Sequence, residues 1–148
     1  MSPTQSQGNR TKILVVDDHR CCRETTGRLL AAAGYEVLAA ADPVQAEVIL
    51  ARHADLGAIV ADVCLDPAGD LAFARRLAVE RPNLPVLFVS GYSREVCQGL
   101  DLLGPGRRFL EKPFSLAQLE TALGALLSAA APRVAAPVTA QVRRDPAW

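Results

Sequence analysis

Short apolar runs alternate with longer segments of helical period five times along this chain, and that rhythm leaves few folds open. The runs are Lys12 to Val16, Glu36 to Ala40, Gly57 to Asp62, Val86 to Ser90 and Arg107 to Leu110. Each is strand-sized. Strands joined through helices pair in parallel, because a crossover brings the chain back to the end of the sheet from which it started. The third run is continuous in small and branched apolar residues, as suits a strand covered on both faces; the second is less apolar and fits an edge.

The helical segments carry their own stop and start signals. Gly34 ends the first, which runs from about His19 to Ala33. Asp42-Pro43-Val44-Gln45 opens the second, with Asp42 as N-cap, Pro43 in the first turn and Gln45 reaching back in a capping box; it should extend to about Arg52. Asp70 reads as the cap of a third, whose Leu71, Ala74, Leu77 and Ala78 share a face and which Pro82 blocks. Pro85 opens the fourth strand, where a missing amide costs least. Ser93 to about Leu103 gives a fourth helix with Val96, Leu100 and Leu103 inward, broken by Gly104-Pro105-Gly106. Ser115 and Gln118 form a second capping box before Leu116, Leu119, Leu123, Leu126 and Leu127 at helical spacing. Right-handed βα units wind on both faces of a sheet, and order 2-1-3-4-5 is the economical solution. The expected fold is therefore α/β, a flavodoxin-like doubly wound sheet of five parallel strands with five helices. Residues 12–128 form one domain in this reading, between a polar, disordered 1–11 and an Ala/Pro-rich tail, 129–148, too poor in periodic apolar residues to order itself.

Composition removes several classes of function. Sixteen basic and sixteen acidic residues cancel, so no field favours direct nucleic-acid binding; Arg75-Arg76, Arg107-Arg108 and Arg143-Arg144 are isolated spots. No apolar stretch is long enough for a membrane span or shaped like a signal peptide, which points to the cytoplasm. Cys21, Cys22, Cys64 and Cys97 show no CxxC spacing, and only His19 and His53 could complete a zinc site, so reduced thiols are expected.

Four of the runs end, on the carboxyl side, in residues suited to phosphate chemistry: Asp17-Asp18, Asp62, Ser90, and Lys112 just beyond Leu110. An open α/β sheet places its ligand crevice at the carboxyl ends of its strands, and the 2-1-3-4-5 order makes the first and third strands neighbours there. Three carboxylates so close repel one another unless a cation offsets the charge. Magnesium takes oxygen ligands and keeps room for a phosphate oxygen, which suits two or three acids better than a closed cage. One acid beside a lysine can then attack phosphorus to form an aspartyl phosphate, with Ser90 and Lys112 holding the other phosphoryl oxygens.

Ile13-Leu14-Val15-Val16-Asp17-Asp18, Asp62 closing the third run, Ser90-Gly91-Tyr92 and Lys112-Pro113-Phe114 resemble the signature set of CheY-like response regulator receiver domains, over about residues 12 to 127. The resemblance implies Asp62 as phosphoacceptor, Asp18 as a direct magnesium ligand, Asp17 acting through water, and the backbone carbonyl of Cys64 completing the metal shell. It implies Ser90 as the switch hydroxyl, Phe109 as the switch aromatic that turns inward, and Lys112 as the phosphoryl partner before a cis bond to Pro113. The face repacked would be that of the 93–103 helix, the last strand and the last helix. The implied donor is a sensor histidine kinase or a histidine phosphotransfer protein, the output a protein contact or phosphate relay by a single-domain regulator, and the only chemistry its own phosphorylation and dephosphorylation. Dimerisation on activation stays open.

The chain departs from that pattern in places. Asp66 stands where the family usually has proline, with Pro67 next and Gly69 before the helix, and Phe109 lacks the hydroxyl of the family's frequent tyrosine. Tyr92 is expected to slow attack of water on the acyl phosphate; Tyr92→Ala should shorten the phosphoryl lifetime, and an unchanged lifetime removes that role. Blander readings suit other residues: Asp66 and Asp70 as a loop group and a cap, Cys21-Cys22 as one buried and one exposed small residue, and His19, which could touch the rim of the metal pocket, as pointing to solvent. Two rivals are a receiver-shaped interaction module that is never phosphorylated, which should lack an acid or the lysine, and a haloacid-dehalogenase-like phosphohydrolase. The latter needs acids two apart after the first strand, where this chain has Asp17, Asp18 and then His19.

Overall fold

A computed structural model of the chain describes residues 10–63, 68–91 and 106–135, with backbone alone at 68–71 and 130–135. In chain order these form β1 (Lys12–Val16), α1 (Arg20–Ala32), β2 (Glu36–Ala40), α2 (Pro43–Arg52), β3 (Ala58–Asp62), α3 (Ala68–Glu80), β4 (Val86–Ser90), β5 (Arg107–Glu111) and α4 (Leu116–Ala135). The five strands are parallel, in the order β2-β1-β3-β4-β5. Four helices stand among the described residues; the expected helix at 93–103 lies outside them. None of the four is long and apolar enough to cross a membrane.

Alternation along the strands builds two cores. Successive side chains of a strand point to opposite faces. Leu14, Val16, Ile59, Ala61, Val86, Phe88 and Phe109 therefore pack on one side with Ala46 and Leu50 of α2 and Phe73, Ala74 and Leu77 of α3. Ile13, Val15, Ala58, Val60, Leu87 and Val89 pack on the other with Leu30 of α1 and Leu119, Leu123 and Leu126 of α4. β1, β3 and β4 are buried on both faces, which is why they read as continuous apolar runs, whereas β2 is an edge strand and half exposed.

Local signals set the helix ends. Gly34 has φ 101°, and the amides of Gly34 and Tyr35 donate to the carbonyls of Ala31 and Leu30, closing α1 in a Schellman motif that needs a left-handed residue. At α2 the Asp42 carboxylate accepts the Gln45 amide at 2.8 Å, and the Gln45 side chain accepts not from Asp42 but from Ala41, one residue earlier. Asp42→Ala should cost about 1 kcal/mol of stability in urea unfolding, the usual worth of such a cap; no change would mean that α2 starts without it. Ser115 and Gln118 exchange reciprocal bonds of 3.1 and 2.8 Å ahead of α4.

Three expectations are corrected. α3 begins at Ala68, so Asp70 lies inside its first turn rather than capping it. Phe73, not Ala78, joins Ala74 and Leu77 on the buried stripe; Ala78 is exposed. At 3.6 residues per turn Phe73, Leu77 and Ala74 share one arc of the helix and Ala78 falls beyond its edge, so the stripe is centred on the Phe73 side. α4 continues to Ala135, past the boundary set at 128; alanines at 129–131 favour helix, and Pro132 lies within its last turns. Residues 136–148 lie outside the described residues.

Candidate functional site

Parallel register brings the carboxyl ends of β1, β3, β4 and β5 level with one another. Asp17 follows β1 and is buried at 3% exposure; its amide donates to the Ala40 carbonyl, and its Oδ1 accepts the amide of His19 at 2.9 Å. Asp18 stands at the rim, exposed. Asp62 ends β3 with its side chain 8% exposed, and its Oδ1 is 2.9 Å from Lys112 Nζ. The same ammonium is 3.6 Å from Asp17 Oδ2. Lys112 is positioned by the backbone: its amide donates to the Ser90 carbonyl at 2.8 Å, and the bond to Pro113 is cis.

Ser90 ends β4 fully buried, its hydroxyl donating to the Val63 carbonyl at 2.9 Å. Phe109 is buried in the core that contains Phe88, its register partner on β4. Lacking a hydroxyl, its ring has no polar end to keep in water.

The charges are unbalanced. Burial pushes the Asp62 carboxyl up from its ordinary value of 3.8; the hydrogen bond and charge of Lys112 pull it down, and the neighbouring Asp17 and Asp18 push it up again, leaving it raised. Burial lowers the Lys112 ammonium, but its hydrogen bond to Asp62 and the fields of Asp62 and Asp17 outweigh that and raise it. A carboxyl raised on folding holds its proton more tightly in the folded state, so its contribution to stability falls as pH climbs from the ordinary value through the raised one. Asp62→Asn should accordingly raise the melting temperature at pH 7 in EDTA, with the gain vanishing below the ordinary carboxylate range. A variant that melts lower than wild type at pH 7 would show that the bond to Lys112 dominates instead.

Asp17, Asp18, His19 and Asp62 each offer a ligand atom, and these atoms lie within 4.8 Å of one another. Three hard oxygen donors around a negatively charged crevice fit a magnesium ion. Cys64, Asp66 and Tyr92 lie outside the described residues. Among the described residues Cys21 is an exposed and Cys22 a half-buried free thiol.

His19 is a correction. Although 65% exposed, its ring is not turned to solvent alone: Nδ1 lies 3.0 Å from Asp18 Oδ1 and 3.6 Å from Asp17 Oδ1. It is the N-cap residue of α1, where extended backbone holds it beside the acids that precede it. Arg23 is an addition, donating from Nη1 to the Asp17 carbonyl at 2.9 Å. Its only sequence signal is its place in the first turn of a helix growing directly out of the acidic strand end.

The chain matches the response regulator receiver domain family over residues 13–124. It is 34% identical to the response regulator MprA of Mycobacterium leprae over 152 residues, an alignment covering 93% of this chain and 65% of that protein. The chain spans about half to two thirds of the length of the first curated relatives it matches. A response regulator receiver protein from Sinorhizobium medicae superposes with TM-score 0.70 at 29% identity, covering 82% of this chain and 98% of that one. The chemotaxis protein CheY4 of Vibrio cholerae superposes with TM-score 0.69 at 28% identity, covering 80% and 99%.

Proposed function

Because the chain belongs to the response regulator receiver domain family of two-component signalling, we propose that it accepts a phosphoryl group on Asp62 from the phosphohistidine of a sensor kinase or phosphotransfer protein and passes the signal on by contact with another protein. The observation that carries this reading is the pairing of Lys112 Nζ with Asp62 Oδ1 at 2.9 Å inside a ring of acids. A carboxylate oxygen of Asp62 attacks phosphorus, the P–N bond to the donor imidazole breaks, and the imidazole leaves with the bonding pair and takes a proton from water. Lys112, no longer shared between two carboxylates, turns its ammonium to a phosphoryl oxygen. Magnesium, held by Asp18 and Asp62 with Asp17 through water, would supply charge neutralisation there.

Arrival of the group is read by Ser90. Its hydroxyl gives up the Val63 carbonyl to donate to a phosphoryl oxygen, which is the stronger bond because the acceptor is charged. As Ser90 moves, the ring of Phe109, which is buried in the core with Phe88, turns further inward and repacks. A two-state switch thrown from 1:99 to 99:1 needs about 5.5 kcal/mol of differential binding, within reach of several charge-assisted bonds to one group.

The test is direct. The chain incubated with magnesium and acetyl phosphate should gain one labile phosphoryl group by intact mass, and Asp62→Asn should gain none. An adduct undiminished in the variant overturns the assignment of Asp62. No adduct on the wild type with either acetyl phosphate or a phosphorylated histidine phosphotransfer protein overturns the function.

A further inference from the structure

The imidazole of His19 belongs to the ring of ligand atoms formed by Asp17, Asp18 and Asp62, and we infer that it adds to the affinity of this site for borderline first-row transition ions such as Co2+, Ni2+ or Zn2+ while adding little for magnesium. The inference rests on the acid cluster being the metal site of the proposed function. An octahedral ion with bonds of about 2.1 Å separates neighbouring ligand atoms by about 3.0 Å and opposite ones by about 4.2 Å. Nδ1 of His19 is 3.0 Å from Asp18 Oδ1 and 3.6 Å from Asp17 Oδ1, and all four ligand atoms fall within 4.8 Å of one another. The contact with Asp18 matches the spacing of adjacent ligands on one ion, while the widest spacing in the group exceeds that of opposite ligands by about 0.6 Å, so the side chains must close slightly to share an ion.

Ligand chemistry then sets the preference. Carboxylates and water suit magnesium, which gains little from an imidazole; a neutral ring nitrogen suits cobalt, nickel and zinc. The backbone amide of His19 is tied to Asp17 Oδ1 at 2.9 Å, which fixes the backbone from which the ring reaches the acids. The oxygen donors alone favour the transition ions somewhat through the general order of divalent affinities, so the specific claim concerns the part of the preference that His19 supplies.

The full chain, stripped of metal with EDTA and given no phosphodonor, is titrated with MgCl2 and with CoCl2, following heat by calorimetry and visible Co2+ absorption. His19→Ala should weaken Co2+ binding by about tenfold or more, in line with the loss of one ligand, and alter the absorption band, while Mg2+ affinity changes less than about twofold. The chain has one other histidine, His53, and His53→Ala should change neither. Asp18→Asn should weaken both ions. Co2+ binding that survives His19→Ala within about twofold, or that His53→Ala removes, overturns the inference. These readouts use no phosphorylation, so a chain that takes up no phosphoryl group yet loses Co2+ on His19→Ala would overturn the proposed function alone.

Discussion

Lys112→Met is expected to slow uptake of a phosphoryl group from acetyl phosphate by about a hundred- to a thousandfold, the usual cost of removing one donor aimed at developing negative charge. Lys112 stands as a cation within the acid cluster, 2.9 Å from Asp62 and 3.6 Å from Asp17. Methionine keeps the length of the stem but leaves the carboxylates facing one another. The pull that Lys112 exerts on the Asp62 carboxyl disappears, and the incoming phosphoryl oxygen loses its ammonium. The initial rate is followed by intact mass in saturating magnesium. A variant within about tenfold of wild type would take Lys112 out of the chemistry.

Phe88→Ala is expected to cost about 3–5 kcal/mol of unfolding free energy, a large part of the 5–15 kcal/mol that holds a domain of this size. Phe88 is fully buried in β4, between Ala61 of β3 and Phe109 of β5 in the strand register. The cavity left behind has strands on both sides, and a sheet held by ladders cannot collapse onto it. Urea unfolding followed by circular dichroism measures the loss, with Val79→Ala on the exposed face of α3 as a comparison that should stay within about 0.5 kcal/mol. A cost below about 1.5 kcal/mol for Phe88→Ala would mean that neighbouring groups move in to fill the space.

Much of this was legible in the chain itself. Strand bounds follow from short apolar runs closed by Gly, Pro or Asp, and the two capping boxes at Asp42 and Ser115 announce themselves within four residues. Less legible were features that depend on helix phase. A stripe of alanines fits several phases equally well, so Ala78 looked as good as Phe73 and Asp70 looked like a cap until backbone placed the start of α3 at Ala68. His19 could be read either way, because an imidazole after two acids is as much at home in water as over a carboxylate. Only its position as the N-cap residue of α1 decides that.

The sequence by itself determined the elements, the parallel winding and the chemical identity of each strand end, because these rest on periodicity and on bonds between residues a few positions apart. Tertiary structure alone decided which of those groups touch. It placed one ammonium against Asp62 and near Asp17, gave the Ser90 hydroxyl to the Val63 carbonyl, buried the ring of Phe109 beside Phe88, and set the nitrogen of His19 among the acids. The reason is that charge pairing and metal ligation act over a few ångströms, and distances that short between remote residues are fixed by strand register and packing, not by spacing along the chain.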